Sequence, residues 1–195
     1  FLVMMERKEI PVVLCFNKKD IATSPEIAEL EAIYEKCGYP IVFTSALEQE
    51  NIEEIRRLLL KKTTAIAGPC GVGKSSLINL LQNQVQMETG TISRKIERGK
   101  HTTRHSELIA VDADSYIMDT PGFSSLYVND FEKEELKYYF PEFTPFEGQC
   151  KFNGCDHIHE PGCAVKEAVE EGKIHKIRYE DYTEMYRELK ERKRY

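Results

Sequence analysis

The chain has 195 residues, 41% of them hydrophobic and 31% charged, and a formal net charge of −6. This is the balance of a globular protein with one ample core and a small appendage, or with two modest domains, rather than of a disordered or membrane chain. The acidic balance argues against coating nucleic acid by bulk electrostatics, and no apolar run approaches the roughly 20 residues that span a bilayer.

The opening "FLVMMERKEIPVVLCF" has no basic start, sustained apolar stretch or small-residue cleavage site, so no signal peptide is read and a cytoplasmic location is expected. Its first eight residues look like the end of a helix. "PVVLCF" (11–16) is a continuous apolar run of buried-strand length. "SPEIAELEAIYEKCG" (24–38) predicts a helix, with Ser24 as cap, Pro25 at its first position, apolar spacing through Ile27, Leu30 and Ile33, and Gly38 as stop. "PIVFTS" (40–45) reads as a second strand. "NIEEIRRLLLKK" (51–62) predicts an amphipathic helix capped by Asn51. "TTAIAG" (63–68) predicts a strand and "KSSLINLLQ" (74–82) a helix. Periodicity fades between about 83 and 106, which predicts a mobile loop, and 105–122 predicts two strands with a turn near Asp112 to Asp114. Alternating short strands and helices imply a mostly parallel α/β sheet.

"GPCGVGKSS" (68–76) lies between a predicted strand and helix, as a phosphate-binding loop requires. Gly68 and Pro69 would start the loop, and Cys70, Gly71, Val72 and Gly73 would turn backbone N–H groups toward phosphate oxygens. Lys74 would pair with the β- and γ-phosphates, Ser75 would face Mg²⁺, and Ser76 would close the loop. "DTPG" (119–122) follows an apolar strand; there Asp119 would hold the magnesium through water and the Gly122 N–H would touch the γ-phosphate. "NKKD" (17–20) supplies what guanine needs. The Asp20 carboxylate accepts from N1–H and the 2-amino group, Asn17 reaches N7, and the Lys18 stem covers the ring beside Lys19. Adenine lacks the 2-amino donor, and a site built to bond a missing group rejects the analogue by about 10⁴-fold or more. GTP is therefore favoured over ATP. In "TSA" (44–46), Ser45 and the Ala46 N–H would complete the base site, the latter at guanine O6. All four motifs follow strands, which places them on the carboxyl edge of one sheet.

The order NKKD, TSA, GPCGVGKSS, HTT, DTPG and then a Cys/His cluster resembles the circularly permuted ribosome small-subunit-dependent GTPase A (RsgA/YjeQ) family, over nearly the whole chain. Cys70 stands where the family usually has serine, and the family's amino-terminal OB-type β-barrel has no counterpart here. The resemblance implies a circularly permuted P-loop GTPase domain over 1–140, with helices on both faces of its sheet, and a small, mainly helical, zinc-binding carboxyl-terminal domain over 141–195. "GKHTTRH" (99–105) matches the family's switch I motif. Thr103, or Thr102 beside it, would complete the magnesium shell, and His101 would orient water or else be a solvated loop histidine. Phe123 follows "DTPG" where other GTPases place a catalytic glutamine, so hydrolysis should be slow until a partner reshapes the site.

Cys150, Cys155, His157 and Cys163 have the spacing C-x₄-C-x-H-x₅-C, a ligand set for one structural Zn²⁺, with His159 as the alternative fourth ligand. Downstream, Tyr179, Tyr182, Tyr186 and Leu189 share a helical face, which predicts packing on the same domain rather than an RNA-stacking platform. Two basic patches, Arg94 to Arg104 and the tail "RELKERKRY", could meet phosphate. The resemblance implies GTP hydrolysis in late maturation of the small (30S) ribosomal subunit, with GTP and GDP, the 30S particle and its 16S rRNA as partners. No membrane partner is expected, and a monomer is. The alternatives are a zinc-dependent RNA-binding adaptor with GTP as a structural ligand, and a permuted GTPase of large-subunit assembly.

Overall fold

A computed structural model describes residues 1–89, 107–119 and 132–191. Packing divides the chain into two compact units, each drawn from discontinuous segments: Cys15–Thr23 with Val42–Leu126, and Phe1–Leu14 with Ser24–Ile41 and Tyr127–Tyr195. This division by contact differs from the division by motif order at residue 140.

The strands are β1 (Leu14–Phe16), β2 (Ile41–Phe43), β3 (Thr63–Ile66), β4 (Glu107–Asp112) and β5 (Ser115–Asp119). Among the described residues, the single sheet expected from the sequence is two. β1 pairs with β2, and a second sheet has the order β3-β5-β4. β3 runs parallel to β5, from Thr63 opposite Tyr116 to Ile66 opposite Asp119, whereas β4 is antiparallel to β5, with Leu108 opposite Met118. The reason is local. Only Ala113 and Asp114 separate β4 from β5, and a two-residue link joins antiparallel strands alone. The Ala113 N–H donates to Asp112 Oδ1 at 2.7 Å and fixes that turn. β1 is shorter than its apolar run and half-buried rather than buried.

The helices are α1 (Leu2–Arg7), α2 (Ser24–Tyr34), α3 (Ile52–Leu59), α4 (Lys74–Thr89), α5 (Ala164–Glu170) and α6 (Lys176–Glu191). α4 continues through 83–89, which corrects the loop expected from 83; residues 90–106 lie outside the described ones. Asn51 precedes α3 without a side-chain cap bond. Its amide instead donates to the Phe43 carbonyl at 2.8 Å, tying the start of α3 to the end of β2.

In the unit holding β3 to β5, apolar spacing on α3 (Ile52, Ile55, Leu59) and α4 (Leu77, Ile78, Leu81) meets Ile109, Val111 and Ile117 of the sheet. The Arg56 guanidinium, 11% exposed, donates to the carbonyls of Val111 at 3.3 Å and Leu81 at 3.2 Å, so one cation ties α3 to both β4 and α4.

The other unit gathers Val3 of α1, Leu136, Phe140 and Phe143 of two short 3₁₀ turns, Val165 and Ala168 of α5, and Tyr182 of α6. Phe140, Phe143 and Tyr182 pack within 5.3 Å, centroid to centroid, and burying each such ring contributes about 1.5–3 kcal/mol. α2 packs against α6 in the same unit. There Arg178 and Glu142, 6% and 2% exposed, form an ion pair at 2.7 Å. The guanidinium also lies over the rings of Phe140 (4.9 Å) and Tyr34 (5.8 Å). Among the described residues no helix is long and apolar enough to cross a membrane.

Candidate functional site

Residues 17–20 follow β1, and 44–46 follow β2; short backbone bonds hold the two loops together. The Lys19 N–H donates to the Thr44 carbonyl (2.9 Å) and the Thr44 N–H to Phe16 (2.8 Å). Lys18 adopts the left-handed conformation (φ 70°) that opens the turn. The Ser45 hydroxyl, fully buried, donates to Asp20 Oδ1 at 2.6 Å and accepts the Glu48 N–H at 3.0 Å. One oxygen of the Asp20 carboxylate is thereby anchored. The Lys19 ammonium pairs with Glu50.

Asn17 is the hub of this region. Its Oδ1 accepts from the Thr44 hydroxyl (3.2 Å) and the Ala46 N–H (3.0 Å), and its Nδ2 donates to the Val72 carbonyl at 2.8 Å. The Ala46 N–H, expected to meet guanine O6, is thus directed at Asn17. The motifs expected to read base and phosphate, 55 residues apart in sequence at Asn17 and Val72, are joined by one side-chain bond.

The phosphate-loop residues Gly68 to Gly73 link β3 to α4, with Gly71 and Gly73 at φ 84° and 95°. These are left-handed values that glycine adopts freely. A Cβ on Gly73 would stand 2.2 Å from Asn17 Nδ2, so the close approach itself requires glycine. Lys74 Nζ donates to the carbonyls of Gly68 and Pro69, both at 2.7 Å, and is folded back over the loop. Ser75 and Ser76 open α4 and are exposed, as is Cys70. Asp119 ends β5 opposite Ile66, so β3 and β5 deliver the phosphate loop and the "DTPG" start to one sheet edge. His101, Thr102, Thr103 and Gly122 lie outside the described residues.

In the carboxyl-terminal segment, Cys150, Cys155, His157 and Cys163 converge, with their ligand atoms all within 4.8 Å of one another. Cys150 Sγ is 3.9 Å from Cys163 Sγ and 3.6 Å from His157 Nδ1, which is 3.3 Å from Cys163 Sγ. A tetrahedron with arms of about 2.3 Å has edges of about 3.8 Å, so the donor set fits a four-coordinate ion. His159 is exposed and outside the cluster. Burial pushes the Cys155 thiol up to about 12 and raises Cys163 as well, while burial and the charge of Lys137 lower His157, so the imidazole is a neutral donor.

The loop carrying these ligands is held from both sides. Burial opposes ionisation of Glu160, but N–H groups including those of Asp156, Ile158 and His159 hold its carboxyl down to about 2. From α6, the hydroxyls of Tyr179, Tyr182 and Tyr186 donate to the His157 carbonyl (2.7 Å), the Asp156 carbonyl (2.5 Å) and Asp156 Oδ2 (2.7 Å). The tyrosine face packs on its own unit, as its spacing predicts. Sequence reasoning missed Thr44 and Glu160, although both stand inside motifs it singled out, "TSA" and the Cys/His cluster.

A family model described as RsgA GTPase matches residues 1–129. The whole chain is 57% identical to the small ribosomal subunit biogenesis GTPase RsgA of Agathobacter rectalis and 46% identical to that of Alkaliphilus metalliredigens, spanning 65% and 67% of their lengths. The structure of YjeQ from Thermotoga maritima superposes with a TM-score of 0.82 at 42% identity, covering 99% of this chain and 65% of its own. That of YloQ, described as a circularly permuted GTPase, gives 0.76 at 37%, covering 100% and 63%. Motif order, mixed α/β architecture and these likenesses agree: the chain belongs to the RsgA GTPase family.

Proposed function

We propose that this chain binds and hydrolyses GTP, as the permuted GTPase portion of a factor acting in late maturation of the small ribosomal subunit. The observation that carries the reading is the Asn17 bond to Val72, which builds base-reading and phosphate-reading loops into one site. The names of the relatives supply the ribosomal role. Because the chain spans about two thirds of their length, the activity and partners of the whole protein belong to this proposal.

In the proposed mechanism Asp20, oriented by Ser45, reads the guanine edge, and the second N–H of Asn17 faces N7. Lys74 leaves the carbonyls of Gly68 and Pro69 for the β- and γ-phosphates, aided by the N–H groups from Cys70 to Ser76. Ser75, Thr103 and Asp119 would hold a magnesium ion, which supplies charge neutralisation as the γ-phosphoryl departs. Gly122 would contact the γ-phosphate and His101 would orient water. Phe123 cannot position water, which makes turnover slow until the 30S particle reshapes the loops. Cys150, Cys155, His157 and Cys163 would hold one Zn²⁺ as the closed, structural site of a carboxyl-terminal domain; zinc there supplies cross-linking, not chemistry. A cytoplasmic monomer touching 16S rRNA through its basic patches fits this role.

GTP turnover with and without purified 30S subunits tests the reading. Stimulation by 30S but not 50S particles, abolished in Lys74→Ala, is the expected outcome. Turnover that is unstimulated and indifferent to Lys74→Ala would instead favour an RNA-binding adaptor with GTP as a structural ligand.

A further inference from the structure

Arg178 and Glu142 meet through one of the two bonds that their shapes allow. The Arg178 Nε–H donates to Glu142 Oε1 at 2.7 Å, and a guanidinium held side-on could close a fork by donating from Nη2 to the second carboxylate oxygen. That second bond is not made. Among the described residues, Arg178 Nη2 and Glu142 Oε2 are both buried without a hydrogen-bond partner, and so is the Tyr39 hydroxyl. The three atoms belong to one place. Burial first, then the Glu6 carboxylate, push the Tyr39 phenol up, and the charges of Arg178 and Glu142 reach it as well.

The neighbours leave this gap open. The guanidinium lies over the rings of Phe140 and Tyr34, which hold its plane. The nearby Cys37 thiol donates to the Ile33 carbonyl at 3.7 Å and so does not serve Oε2. At 6% and 2% side-chain exposure, neither charge reaches bulk solvent. A buried charged group left short of a partner carries its full desolvation cost.

We propose that one water molecule is a built-in member of this pair, accepting from Arg178 Nη2, donating to Glu142 Oε2 and bonding the Tyr39 hydroxyl as its third partner. The chemistry selects that occupant. Nη2 can only donate and an ionised Oε2 can only accept, so the guest must do both at once. A cation would face the guanidinium and an anion the carboxylate, whereas a neutral guest meets neither penalty. A buried water typically makes about three hydrogen bonds to otherwise unsatisfied groups, which is what these three atoms supply. The site is independent of the nucleotide reading.

A high-resolution crystal structure, together with oxygen-17 magnetic relaxation dispersion in solution, tests the proposal. The expected result is a density peak about 2.6–3.2 Å from both Nη2 and Oε2. The dispersion amplitude should fall by one long-lived water when Arg178→Met and Glu142→Leu are combined, and Tyr39→Phe should shorten that water's residence time severalfold. A direct Nη2 to Oε2 bond with no peak between the two atoms overturns the proposal. An anomalous signal at the peak, which marks chloride, overturns it too, as does an amplitude that the double variant leaves unchanged. Should the double variant not fold, the wild-type crystal structure and the Tyr39→Phe residence time decide the matter.

Discussion

Asn17 Nδ2 lies so near the backbone of Gly73 that a methyl group there would overlap it at 2.2 Å, while the same nitrogen donates to the Val72 carbonyl at 2.8 Å. The glycine therefore has two duties, a left-handed backbone at φ 95° and room for the asparagine. Gly73→Ala should cost about 1–3 kcal/mol through backbone strain. It should also weaken guanine-nucleotide affinity by more than about 10-fold, because Asn17 must give way. Calorimetry for stability and fluorescence titration with a labelled GDP measure the two effects, and unchanged affinity would refute the contact's importance.

The Arg178–Glu142 pair is nearly dry, and breaking such a pair leaves an uncompensated charge. Arg178→Met should lower unfolding stability by about 3–5 kcal/mol, whereas Glu142→Leu combined with Arg178→Met should recover most of that loss. Urea midpoints of the three proteins check it. A double variant no better than the single one would mean that the packing of the guanidinium on Phe140 and Tyr34, not the charge, is what counts.

Glu160 adds an acid dependence. Its folded value of about 2 lies below the ordinary 4.5, so its contribution is fully present above about 4.5 and is lost as pH falls toward 2. Glu160→Gln should be less stable than the wild type near pH 7, with the difference shrinking at about pH 3. Urea unfolding of both proteins at the two pH values measures this. A difference that is constant with pH would show that the amide bonds are not charge-assisted.

Thiol labelling should sort the cysteines by surroundings. Cys70 lies exposed on the phosphate loop, whereas Cys37 is 2% exposed and burial pushes its thiol up to about 12. With a disulfide reagent near pH 8, Cys70 should react in the native protein and Cys37 only after unfolding. GDP should slow Cys70 labelling severalfold. Mass mapping of the labelled peptides reads both outcomes, and GDP-insensitive labelling would argue against nucleotide at that loop.

Chelation bears on the metal. Removing an ion held by Cys150, Cys155, His157 and Cys163 should destabilise the unit that contains them and raise the number of titratable thiols by three. Thermal unfolding before and after chelation, together with elemental analysis for zinc, measures this. Freshly purified protein without zinc would remove the proposal.

What the sequence revealed followed locality. The phosphate loop, "NKKD" and the cysteine spacing were legible because each needs a few residue types at short, fixed intervals, and the helical face of Tyr179, Tyr182 and Tyr186 was legible from its period. The end of α4 was not: 83–89 loses its apolar rhythm, but helix propagation continues through residues of good propensity such as Gln84 and Met87. Nor was the direction of the Ala46 N–H, since a motif specifies a donor but not which acceptor is nearest before ligand arrives. The partners of α1 and α2 were illegible for a deeper reason. An apolar stripe says that a face will be covered, not by which distant segment, and Val3 finds Leu136 and Phe140 across most of the chain.

That last pairing bears on the order of assembly. Val3 shares a core with Tyr182, so α1 has no completed core until α6 exists. Contacts of such long sequence separation close slowly, because a long loop must be restrained before burial compensates. The unit built from residues 15–23 and 42–126 has its chain available sooner and can condense first, leaving α1 and α2 to wait. Assembly of this unit should therefore finish with α1 meeting α6, after translation has passed α6.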